Sequence, residues 1–80
     1  MTHPTYADTG EPVRKRDVAY AVNDFAMRVI PDARFARHIR GFVFYTPHGE
    51  QMHADRWTFY KHRHNAIAAW EKLLEADNGN

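Results

Sequence analysis

Eighty residues with no cysteine and no serine, 44% hydrophobic and 26% charged, have room for one small domain and no second core. The missing residue types exclude a thiol nucleophile, a Ser-His-Asp triad, a disulfide framework and a cysteine-ligated zinc. Net charge is only +1, yet seven basic residues stand against three acidic ones over residues 13–40, a local +4, while residues 65–80 carry three acidic groups against one lysine, a local −2.

Residues 1–12 contain Pro4, Gly10 and Pro12 and little apolar bulk beyond Tyr6, and read as an irregular arm ahead of a single domain over 13–77. Val18, Val22, Phe25 and Val29 then fall at i, i+4, i+7 and i+11, with Ala19, Ala21 and Ala26 between them. That spacing predicts a first helix with one apolar stripe, ended at Ile30 by Pro31. Over 39–46 the period changes: Ile39, Phe42, Val43, Phe44 and Tyr45 are β-branched or aromatic and lead into Pro47-His48-Gly49, which is turn chemistry. A strand is expected there, paired in a hairpin with a second extended run over 51–60, which Ala54-Asp55-Arg56 either breaks into two short strands or interrupts with a bulge. Ala66, Ile67, Trp70, Leu73 and Leu74 share one face of a second helix, and residues 78–80 fray from its end.

The expected fold is therefore α+β, a small α-β-β-α domain with a two- to three-stranded antiparallel sheet packed on two helices. Strand alternation points Phe42 and Phe44 to one face and Val43 and Tyr45 to the other. If the helices cover one face, the other still shows aromatic side chains. It is then a contact patch or a homodimer seam, unless the arm folds over it.

Six histidines invite a metal reading, but zinc needs three or four ligands converging at about 2 Å. His62 and His64, two apart on a helix, would face away from each other. No metal or other cofactor is expected, and with no carboxylate pair at a compelling spacing no catalytic residue is assigned.

The run Arg40-Gly41-Phe42-Val43-Phe44-Tyr45 resembles the start of the ribonucleoprotein-1 motif of RNA-recognition-motif domains. Arg40, Gly41, Phe42 and Phe44 match that motif, while Val43 stands where it has Gly or Ala, Tyr45 where it has an aliphatic, and Pro47 where its last aromatic falls. The resemblance implies bases stacked on strand aromatics. In overall character, compact, cysteine-free and rich in arginine and aromatic residues, the chain looks like the small phage-encoded inhibitors of bacterial defence, the anti-CRISPR proteins in particular. That likeness implies a non-enzymatic protein that blocks a surface of a protein or nucleoprotein effector complex.

Eight of the eleven cations are arginine, whose planar fork suits carboxylates, phosphates and aromatic faces. The partner-binding candidates are Arg34, Arg37, Arg40, Tyr45, Tyr60 and Arg63. Direct binding of nucleic acid through basic and aromatic sheet residues is the alternative, and the chain is expected as a monomer or homodimer. No run approaches the roughly 18 apolar residues of a membrane span, and MTHPTYADTGEP lacks the basic start and apolar middle of a signal peptide. A cytoplasmic protein with no membrane partner is expected.

Overall fold

The computed structural model describes residues 4–38 and 41–78. Where a first helix was expected it has two antiparallel strands, β1 (Val18–Asn23) and β2 (Arg28–His38). Val22 and Val29, seven residues apart, are direct partners across the turn, so the helical spacing arises from cross-strand pairing. Asn23 makes the turn. Its Oδ1 accepts the N–H groups of Phe25 and Ala26, both at 2.9 Å, as Asn side chains readily do. Met27 then takes a left-handed φ of 55° and turns the chain back.

Pro31 does not end an element either. Ala19 pairs with Ala33 and Ala21 with Ile30, so Tyr20 alone faces the two residues Pro31 and Asp32. This is a β-bulge, with Asp32 at a φ of 54°. The missing N–H of proline is tolerated there because the extra residue sits outside the regular ladder.

β3 (Gly41–Tyr45) follows, then a turn in which Thr46 N–H donates to the Glu50 carbonyl at 3.0 Å and Gly49 N–H to the Thr46 carbonyl at 2.9 Å. β4 (Gln51–His53) returns beside β3, so the hairpin expected over 51–60 forms with 51–53 only. β5 (Trp57–Tyr60), set off by Arg56 at a φ of 69°, leaves that hairpin and pairs with β1 at the far edge. The sheet order is β4-β3-β2-β1-β5, all antiparallel.

Two strands separate β3 from β5 in this order, yet the Phe44 ring lies 5.2 Å from Trp57 and 5.6 Å from Phe59. The sheet is thus curled into a half-barrel whose inward residues meet across the interior. Phe35 of β2 is buried at its centre, 4.9 Å from Phe59 and 6.0 Å from Phe44. Ala19, Ala21 and Ala33 are buried in the same cluster, and their small side chains leave the space the rings fill.

The arm closes the remaining side. Ala7 N–H donates to the Phe59 carbonyl at 2.8 Å, and the Tyr6 ring meets Phe35 edge-on at 6.4 Å. Tyr6 Oη donates to Asp17 Oδ2 at 2.9 Å, and Val13 is fully buried beside it. The aromatic face that alternation left open is therefore covered by the arm.

The single helix among the described residues, α1 (Arg63–Asn78), packs against β1, β2 and β5 from the other side. Val22 of β1 and Ala66 of α1 itself are both buried but lie outside the inner cluster, as expected of the seam between helix and sheet. Trp70 is half-buried, and its Nε1–H donates to the Met27 carbonyl at 3.0 Å, tying the helix to the β1–β2 turn. The expected α-β-β-α arrangement on two helices is thus corrected to a mostly β half-barrel with one C-terminal helix. The cause is that the residues read as the first helix pair as β1 and β2. No helix among the described residues is long and apolar enough to cross a membrane.

Because Phe35 touches three other rings with no exposed surface to fall back on, Phe35→Ala should cost about 3–5 kcal/mol, as buried aromatic truncations do. Phe25→Ala, at a ring 81% exposed, should change stability by about 0.5 kcal/mol or less. Thermal melts of the two variants check the contrast.

Candidate functional site

β2 and β3 place Arg34 directly opposite Tyr45. Neighbouring residues Ala33, Phe35 and Phe44 point into the core, so Arg34 and Tyr45 point to the outer face. Beside them lies an open recess of about 290 Å³, lined by Asp32, Arg34, Tyr45, Thr46, Pro47 and Gly49. The bulge supplies Asp32, and the β3–β4 turn supplies the rest of the wall. Thr46 is buried and holds that turn with its hydroxyl, which accepts the Glu50 N–H at 3.2 Å. Gly49 has open space where a Cβ would stand, but its φ of 86° favours glycine.

The recess presents a carboxylate, a guanidinium and a phenol around an apolar proline. Such a mixed-sign rim can take a bidentate carboxylate on Arg34 and a donor on Asp32, with an apolar group between. It offers no run of cations for a phosphate backbone.

The other candidate residues stand elsewhere. Tyr60 is half-buried on β5 opposite Tyr20, and burial, with the nearby Asp8 carboxylate, pushes its phenol up. Arg63 is exposed at the start of α1. β2 and β1 separate Tyr45 from Tyr60, so these two do not form one patch with Arg34. Arg37 continues β2 opposite Phe42, but its side chain is outside the described residues, as is Arg40 altogether. The aromatic pair in the ribonucleoprotein-like run is also placed differently from a stacking platform. Phe44 is fully buried in the core, which removes it from any base-binding face.

His62 precedes the helix instead of lying on it, so its ring and that of His64 face each other at 5.8 Å. Among the described residues no three His, Asp or Glu side chains come together as a metal would need.

Sequence reasoning missed Asp8. Its carboxylate accepts the N–H groups of Lys61 at 2.9 Å and His62 at 3.1 Å, and the Asn65 amide at 2.9 Å. A residue more than fifty positions away thus fastens the chain where it enters α1, and Lys61 returns an ion pair to Glu11 at 3.1 Å. Residues that fix the start of a helix are sought just ahead of it, so no local signal points to this one.

No protein-family model matches the chain, and neither a curated protein nor a solved structure is significantly similar to it.

Burial pushes the Asp8 carboxyl up, but the hydrogen bonds from Lys61, Asn65 and His62 outweigh it and hold the group below its ordinary range. A depressed carboxyl contributes stability above its unfolded pKa and loses it as pH falls through the folded value. Asp8→Ala should therefore cost about 1–3 kcal/mol at neutral pH, the usual net worth of hydrogen bonds to a charged group. The gap to the parent chain should narrow below about pH 4. Denaturant titrations at pH 7 and pH 3 check both parts.

Proposed function

We propose that this is a non-catalytic binding protein that acts in the cytoplasm by occupying a surface of a larger protein or nucleoprotein assembly, with the Arg34–Tyr45 recess as its recognition site. The observation that carries the reading is the recess itself. An arginine and a tyrosine, two residue types that dominate interface energetics, stand side by side on a rigid strand pair with an opposing carboxylate next to them. The overall likeness to anti-CRISPR inhibitors suggests a bacterial defence effector as the class of target. Direct nucleic-acid binding is the weaker reading, because Phe44 is spent in the core and Asp32 sits beside Arg34.

The test compares the parent chain with Arg34→Glu and Tyr45→Ala as baits in nuclease-treated lysate, followed by titration of whatever protein the parent retains. Each variant should weaken that binding about 30-fold or more at unchanged melting temperature. Purified parent chain should show little affinity for free DNA or RNA at about 0.15 M salt. Tight binding of naked nucleic acid, with affinity falling steeply with salt and no protein retained, would overturn the reading.

A further inference from the structure

Phe25 is 81% exposed at the tip of the β1–β2 turn, and four separate features hold it there. Asn23 Oδ1 fixes the Phe25 and Ala26 N–H groups, Met27 is left-handed, and the Met27 carbonyl is tied to the Trp70 indole. Arg56, also left-handed at a φ of 69°, sets its guanidinium 5.6 Å from the Phe25 ring centroid. Each left-handed residue that is not glycine is strained, and such strain gathers where a group must be presented in one geometry. A rigid aromatic with a guanidinium over it loses little entropy on binding.

The tip and the recess are complementary. A cavity of about 150 Å³ accepts a benzene ring, so the recess of about 290 Å³ has room for Phe25 against Tyr45 and Pro47. Asp24 adjoins Phe25 in the chain, and Arg34 waits in the recess. Arg56 accompanies Phe25, and Asp32 lines the same recess. All four charged groups are exposed. Within one copy the two features are kept apart, since Arg34 pairs with Val18 at the start of β1 and Phe25 lies beyond Asn23 at its end, roughly 17 Å along the strand.

We propose that two copies of this chain associate by seating the Phe25 tip of one in the Arg34–Tyr45 recess of the other, with Asp24 against Arg34 and Arg56 against Asp32. A twofold dimer makes the contact twice, each copy giving a tip and receiving one. With Asp24 next to Phe25 in the chain and Arg56 over its ring, the tip is of mixed sign, which argues against a polyanion or an anionic membrane as its occupant. The inference rests on the recess being a recognition site. It adds that self-association covers that site, so dimer and foreign partner compete for it.

Sedimentation of the purified chain from about 10 µM to about 1 mM tests this, a range suited to a small interface. The expected result is a concentration-dependent dimer that Phe25→Ala and Arg34→Glu each weaken about 30-fold or more, with melting temperatures unchanged. A mixture of these two variants should contain more dimer than either alone, because an intact tip then meets an intact recess. Exchanging the charges, Asp24→Arg together with Arg34→Asp, should restore association. A chain that stays monomeric throughout, or a dimer indifferent to Phe25→Ala, would overturn the proposal. Neither result touches the foreign-partner reading, because Phe25→Ala leaves the recess intact for the lysate experiment.

Discussion

The edge-on packing of Phe59 and Tyr6 around Phe35 is the contact on which the remaining structure depends. With only ten Leu, Ile and Val residues against eleven aromatic ones, the chain builds its core from rings. Rings fill a curled sheet well when their neighbours are small. The buried alanines of β1 and β2 meet that condition, and edge-to-face contacts add to the area buried. The curl that brings Phe44 to Trp57 and Phe59 follows, and so does the gap that the arm must cover. The recess depends on the same curl at one remove. Arg34 and Tyr45 are turned outward because Phe35 and Phe44, the next residue along in β2 and the one before in β3, are turned in.

The arm joins this core to the surface electrostatics. Its carboxylates are used as fasteners: Asp8 on the start of α1, Glu11 on Lys61, and, just after the arm, Asp17 on both the Tyr6 hydroxyl and the Arg14 N–H. Burial, reinforced by the Asp17 hydrogen bond, pushes the Tyr6 phenol up, so it remains a donor across the physiological range. Among the described residues no buried side-chain polar atom is left without a partner. Cations such as Arg34 and Arg63, in contrast, stand on exposed positions, which suits recognition more than stability.

Much of the second half of the molecule was legible in the sequence. β3, the turn after it and the C-terminal helix follow from residue types within a few positions of one another, whereas 54–56 allowed a bulge as well as the break that is found. The first half was not, because Val18, Val22 and Val29 satisfy a helical period by accident of a short turn, and Asn23-Asp24 carries the contrary signal in only two residues. β5 joining β1, and Asp8 holding the chain ahead of α1, are contacts across long stretches of chain with no local signature. The site divides the same way. Arg34 and Tyr45 could be named as candidates from their type, but Asp32 joins them only through a bulge, and a bulge exists only once two strands are paired. Phe25 was read as part of an apolar stripe and is instead the most prominent exposed ring.

The central claim is that the arm belongs to the core and does not merely decorate it. Amide hydrogen exchange tests this most directly, because Tyr6, Ala7 and Val13 donate to Glu11, Phe59 and Pro4 while Phe35 donates to Asp17. If arm and barrel open together, the Ala7 and Val13 amides should show the same opening free energy as Phe35, close to that of global unfolding. Arm amides that exchange orders of magnitude faster than Phe35, with the barrel still protected, would contradict the account.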